Sequence, residues 1–193
     1  MTIEFASTAA IGLVAACALQ GAIMCVDEFY CHMRRRVPSW ERVGHPIDTF
    51  FFLACFVFAL TTSPAAGREW IFVVLACVST LMVTKDEFVH AGLCDGFEQF
   101  LHALLFILHP IVMISLGMLW SRGHLSPELG SPMRVFVAGQ SSLIAGFLVY
   151  QVLFWNSSYF ARWFAQWKSD NPKRLQQVAL NLDVSRRKQA TRR

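Results

Sequence analysis

Apolar and polar positions along this chain fall into long blocks rather than into the short period of a surface helix. Five mainly apolar stretches stand out: Phe5 to Val26, Ile47 to about Ala65, Trp70 to Thr84, Phe97 to Trp120, and Val135 to Trp155. A bilayer crossing takes roughly 20 predominantly apolar residues, so each stretch predicts a membrane-spanning helix, and the third is short enough to need its flanks. The first lacks a basic start, and its apolar run exceeds the roughly 7–15 residues of a cleaved signal core, which predicts a retained anchor.

The polar blocks between these stretches repeat. After the first stretch come Asp27-Glu28-Phe29, His32, Glu41 and His45; after the third come Asp86-Glu87-Phe88, His90, Glu98 and His102. Carboxylates and imidazoles at a membrane edge are costly to desolvate, and such groups default to functional roles. The likeness covers the ligand-bearing turns and not whole helices, so duplication and convergence both account for it. Spans 1 and 2 joined by the first block, and spans 3 and 4 joined by the second, predict two helix pairs in a four-helix bundle with a fifth helix alongside. The fold class expected is an all-α integral membrane protein of about five transmembrane helices. Residues 1–155 form the transmembrane bundle, and residues 156–193 carry a cytoplasmic interfacial aromatic helix and a basic tail. Trp155, Tyr159, Trp163 and Trp167 recur every four residues, an aromatic stripe suited to the interface, and the basic residues beyond Lys168 are suited to anionic headgroups.

Composition agrees with this class. Of 193 residues 55% are hydrophobic, above the roughly 45–50% of an ordinary soluble domain. Among the 17 Lys and Arg, only Arg68, Arg122 and Arg134 fall on one side of the predicted bundle. By the positive-inside rule the N-terminus lies outside, and the tail and both acidic-histidine blocks face the cytoplasm, as in a bacterial inner membrane. Topology thus accounts for the net charge of +4, and no nucleic-acid partner is needed. The bilayer is the expected partner, with a lipid-like substrate arriving from within it.

Spacing gives the blocks their chemistry. Residues four apart share a helix face, so Glu28 with His32, Asp86 with His90, and Glu98 with His102 each aim two side chains at one point; Glu87 with His90, three apart, also fits. Glu41 and His45 have the same spacing, but Gly44-His45-Pro46 predicts an interruption, since a residue before proline is pushed toward extended geometry. His45 then pairs with Asp48 at the start of the second span, with Glu41 on a short interfacial helix begun near Pro38-Ser39. The candidate metal ligands are Glu28, His32, Glu41, His45, Glu87, His90, Glu98 and His102, with Asp27, Asp48 and Asp86 as bridging or supporting groups. Carboxylate with imidazole suits iron, manganese or zinc. Carboxylate-bridged di-metal bundles use related ligands from four helices, although here the spacing is mostly four and the ligands sit at the membrane edge.

Other polar residues are less telling. The six cysteines show no CxxC spacing; Cys17, Cys25, Cys55 and Cys77 lie in spans as small hydrophobes, while Cys31 and Cys94 fall near the blocks. His109 lies seven residues after His102, hence on nearly the same face and about 10 Å deeper, as a packed histidine, a proton relay or a haem ligand. His124 is a loop residue at the opposite side. No phosphate-cradling glycine loop or nucleophile elbow occurs.

Three function classes follow. A membrane-embedded metal-dependent oxidoreductase, with a di-iron or di-manganese centre acting on a lipid-like substrate, accounts for carboxylates and imidazoles together. A b-type haem electron carrier using His45 with His102 accounts for the histidines alone. A metal or proton transporter, or a non-enzymatic subunit of a membrane complex, needs polar residues across the membrane, where only His109, Gln140, Ser141 and Ser142 occur.

Overall fold

The computed structural model describes the backbone of residues 2–34, 39–90, 94–126, 131–157, 161–162, 165–167 and 169, and the side chains of these apart from residues 2–7, 39–40 and 85–90. Among the described residues all regular structure is helical. The elements are α1 (Thr2–Val26), a π turn (Asp27–Cys31) and a 3-10 turn (His32–Arg34), then α2 (Ser39–Thr61), α3 (Arg68–His90), α4 (Gly96–Ser121) and α5 (Pro132–Asn156). The chain is an all-α membrane protein. Four helices, Thr8–Arg34, Glu41–Thr61, Gly96–Ser121 and Pro132–Asn156, are long and apolar enough to cross a bilayer. The fifth, α3, draws on both flanks of the short apolar run Trp70 to Thr84 and reaches 23 residues, a rod of about 34 Å at roughly 1.5 Å per residue.

Burial is inverted relative to a soluble domain. Ile11, Leu19, Trp70, Val74, Leu81, Ile107, Val135, Leu143 and Leu153 are exposed, while Gln20, Thr49, Ser79, His109 and Gln151 are buried. In hydrocarbon only a helix or a closed barrel satisfies every backbone amide, so apolar side chains face outward at no cost and polar ones must find partners within. Each of these makes at least one such bond: Thr49 Oγ1 donates to Gln151 Oε1 at 2.7 Å, and His109 bonds Ser79 at 2.9 Å and Gln20 at 3.3 Å, while Gln20 Oε1 has no hydrogen-bond partner among the described residues.

Neighbours in space differ in part from neighbours in sequence. Helices α3 and α4 pack together as the second expected pair, but α1 packs chiefly on α4, and α2 on α5 and α3. The segment 27–38 carries the chain from α1 to α2 and so need not hold the two side by side. Pro46 lies inside α2, so the expected interruption does not occur. A proline removes one intrahelical bond and is tolerated in membrane helices where the surroundings satisfy the freed group.

The end of the bundle remote from the polar blocks is held by aromatic packing and two tight turns. Gly67 and Gly123 adopt φ of 88° and 76°, a left-handed conformation that favours glycine. Trp120 Nε1 donates to Thr62 O at 2.8 Å, and Arg134 Nη1 donates to Leu60 O at 3.0 Å and Leu125 O at 2.6 Å, occupying carbonyls at the α2 and α4 ends. Phe72 stacks on Trp120 with centroids 5.4 Å apart and lies against Gly117, where an added Cβ would come within 2.6 Å of Phe72 Cε1. Gly117→Ala should therefore displace this stack and cost about 1–3 kcal/mol, read as a lower thermal unfolding midpoint in detergent. Gly21→Ala, which meets no atom within 4 Å, should leave the midpoint unchanged or raise it.

Candidate metal centre

The polar blocks meet where α1 ends and where α2 and α4 begin. In an α-helix a residue five positions on lies well off the original face, but the π turn at Asp27–Cys31 widens the winding to an i→i+5 pattern. Asp27 and Glu28 are therefore both presented toward His32. In α2 the uninterrupted helix keeps Glu41 and His45 one turn apart on one face. At α4, Asp95 caps the helix, its side chain accepting from Glu98 N at 2.9 Å. That fixes the first turn, so Glu98 and His102 face inward together.

His32 is the hub of the resulting cluster. Its Nδ1 lies 3.4 Å from Glu28 Oε2, and since a carboxylate can only accept, Nδ1 is the donor of this pair. Nε2 lies 3.5 Å from Asp27 Oδ2, 3.5 Å from Glu98 Oε1 and 3.7 Å from Glu41 Oε1. It makes no hydrogen bond to any of the described residues. His102 Nε2 lies 3.4 Å from the same Asp27 oxygen, and His45 Nε2 lies 3.6 Å from Glu41 Oε1. The donors form two overlapping groups, Asp27, His32, Glu98 and His102, and His32, Glu41 and His45, with the ligand atoms of each group within 4.8 Å of one another.

These spacings can hold a metal ion. Donors 3.4–3.7 Å apart are separated as ligands about 2.1–2.3 Å from a common centre at near-tetrahedral angles would be. The electrostatics point the same way. Asp27, Glu28, Glu41 and Glu98 are all buried, and two carboxylate charges roughly 4–5 Å apart repel by about 3–4 kcal/mol at an effective dielectric near 20. Buried charges persist when they are paired or coordinate metals.

No protein-family model matches the chain, and no curated protein or solved structure matches it. The chemistry of the site rests on its own geometry.

Glu28 occupies a distinct position in that geometry. Its Oε2 faces His32 Nδ1, and its Oε1 accepts a 2.6 Å hydrogen bond from Trp155 Nε1. Carboxylate to imidazole to metal is the usual outer arrangement of a metal-bound histidine, fixing its tautomer and raising its basicity. Trp155 is only 2% exposed, so it faces the bundle interior and not the interface expected of the aromatic stripe. Tyr159 and Trp163 of that stripe lie outside the described residues.

Of the expected ligands, Glu28, His32, Glu41, His45, Glu98 and His102 are gathered here together with Asp27. Asp48 lines the cavity below the cluster. The side chains of Asp86, Glu87 and His90 lie outside the described residues. His109 lies deeper, bonded to Gln20 and Ser79, and His124 lies in the turn at the opposite end. The roles of Trp155 and Gln20 have no counterpart in the sequence reading, because a tryptophan at a span end and a lone glutamine in an apolar run carry no spacing signal.

Trp155→Phe keeps the aromatic bulk and removes the hydrogen bond to Glu28. It should weaken metal affinity by about 10–100-fold, measured by titrating purified protein with Mn(II) or Fe(II), while helix content by circular dichroism stays that of the wild type.

Proposed function

We propose that the protein is a membrane-embedded, metal-dependent oxidoreductase with a di-iron or di-manganese centre, acting on a lipid-like substrate at the cytoplasmic face. The observation that carries this reading is the convergence of three carboxylates on His32 Nε2 with two further imidazoles beside them. An oxygen-rich, imidazole-supplemented set without thiolate among its donors suits iron or manganese, and such a centre supplies one- or two-electron redox chemistry. Since His32 Nε2 can ligate one ion only, one ion would be held by Asp27, His32, Glu98 and His102, and a second by Glu41 and His45 with a carboxylate shared between the two. Glu28 holds His32 in its tautomer, and Trp155 holds Glu28.

Position supports the choice of substrate. The cluster borders a small cavity of about 80 Å³ whose walls include Met24, Phe52, Leu105, Phe106 and Phe147 beside Gln20, Asp48, Thr49 and Gln151, so an apolar chain and a polar head both find matching surface there. The Lys and Arg asymmetry of the chain supports the cytoplasmic orientation of this end, where a soluble reductant or oxidant has access.

The competing classes fit less well. A porphyrin between His45 and His102 would occupy the space where Asp27, Glu41 and Glu98 surround His32. A transport path would continue past His109, yet the buried residues beyond it on α4 are Val112, Met113, Leu116, Leu119 and Trp120, with only Ser115 polar.

Elemental analysis of the detergent-purified protein, together with its visible spectrum, tests the reading. The expected result is iron or manganese at about two per chain without a Soret band, the stoichiometry following from a carboxylate-bridged pair. His102→Ala and Glu98→Ala should each lower the metal content, and His124→Ala should not. A Soret band, or a protein that stays metal-free after titration with Fe(II) and with Mn(II), would overturn it.

A further inference from the structure

The cavity below the cluster adjoins a second space. Gln20, Met24, Thr49, Phe52 and Phe147 border it and also border a groove of about 610 Å³ between α1 and α5. This groove follows α1 from Cys17 to Phe29, about 18 Å at roughly 1.5 Å per residue. Its walls are mostly apolar, and Gly21 and Gly146 leave it open, since a Cβ added at either meets no atom within 4 Å. At the cluster end Phe29 and Tyr150 approach ring to ring, centroids 5.7 Å apart, and narrow the exit toward water. An elongated apolar space that opens sideways and adjoins a polar cavity matches a hydrocarbon chain with a small polar head.

One buried group says what that head must offer. Gln20 is 4% exposed and lines both spaces. Its Nε2 donates to His109 Nδ1 at 3.3 Å, and His109 is held in turn through Nε2 by Ser79 at 2.9 Å. Gln20 Oε1 has no hydrogen-bond partner. A buried carbonyl oxygen without a donor is unfavourable, and a ligand hydroxyl would satisfy it.

We propose that the α1/α5 groove binds the hydrocarbon chain of the substrate, a single-chain lipid with a hydroxyl head whose O–H donates to Gln20 Oε1 in the cavity beneath the cluster. As a statement about substrate it rests on the oxidoreductase reading; as a statement about binding it does not. The groove is distinguished from ordinary contact with bilayer lipid by a second, larger one. A space of about 840 Å³ between α3 and α4, bordered by Phe72, Val73, Met113 and Gly117, shares no residue with the cavity.

The test uses the full chain in phosphatidylcholine vesicles and two probes, a long-chain fatty alcohol with a diazirine at its chain end and the methyl ether of that alcohol. After illumination, labelled peptides are mapped by mass spectrometry and metal content is measured on the same samples. The alcohol should label α1 and α5 in preference to the α3/α4 groove. It should exceed the ether there by roughly two- to tenfold, the worth of one hydrogen bond. Gln20→Leu should abolish the difference between the probes, and Gly146→Phe should abolish the labelling while metal content is retained. Equal labelling of the two grooves, or an alcohol preference that survives Gln20→Leu, would overturn the proposal. A metal-free protein that labels as expected would overturn the oxidoreductase reading and leave the binding site standing; a metal-loaded protein that does not label there would do the reverse.

Discussion

The gathering of Asp27, Glu41 and Glu98 around His32 Nε2, with Glu28 behind the ring, is the constraint on which this end of the molecule depends. Mutual repulsion of buried carboxylates opposes folding, and three imidazoles cannot neutralise four such groups. The local structure nevertheless commits several devices to the arrangement: a π turn that brings Asp27 and Glu28 into register with His32, an Asp95 cap that fixes the first turn of α4, and a helix that continues through Pro46. Each carries a cost in backbone bonding or in specificity of sequence. A bound cation removes the repulsion at its source, because each carboxylate then faces a positive centre and no longer chiefly another anion.

The interior is graded away from this end. Below the cluster lie Asp48 and the small cavity, then the chain Gln20, His109 and Ser79, and then a packed apolar segment with Leu13, Phe56, Leu116 and Leu119. Lone polar residues in hydrocarbon need partners, and here every step toward the cluster adds them. The opposite end is closed by Phe58, Phe72 and Trp120. One end of the bundle thus gathers the buried carboxylates and imidazoles, and the other is closed by aromatic packing.

Much of this was legible in the sequence because two simple periods carry it. Long apolar runs mark the five helices, although α2 begins at Ser39, well before the run from Ile47, and α3 continues past Thr84 to His90; the four-residue spacing of Glu28 with His32 and Glu98 with His102 marks the inward faces. Glu41 with His45 was legible too, but Pro46 argued against it; the helix persists because one lost backbone bond is small beside the packing of α2 on α5 and α3. Asp27 could be placed only as a supporting group, since in an α-helix a residue five positions from His32 points elsewhere, and no residue pattern announces a π turn. The packing of α1 on α4 was likewise hidden, because sequence order favours adjacent helices when connections are short and the connection here is not.

Trp155 shows why a mostly outward-facing helix matters to a buried site. Helix α5 presents most of its surface outward, yet through Trp155 it holds Glu28, and through Glu28 the Nδ1 side of His32, whose Nε2 faces three carboxylates. The same helix forms one wall of the groove, and Gln151, which borders the cavity, is anchored to Thr49 of α2. A chain bound between α1 and α5, as proposed above, would touch α5 from Gln140 to Tyr150, on the helix that carries Trp155. Any coupling between groove and cluster would therefore run through this one helix, from Tyr150 to Trp155 and on to Glu28 and His32. Coupling of this kind requires differential contacts in the two states, and the hydrogen bond from Trp155 to Glu28 is the contact positioned to differ.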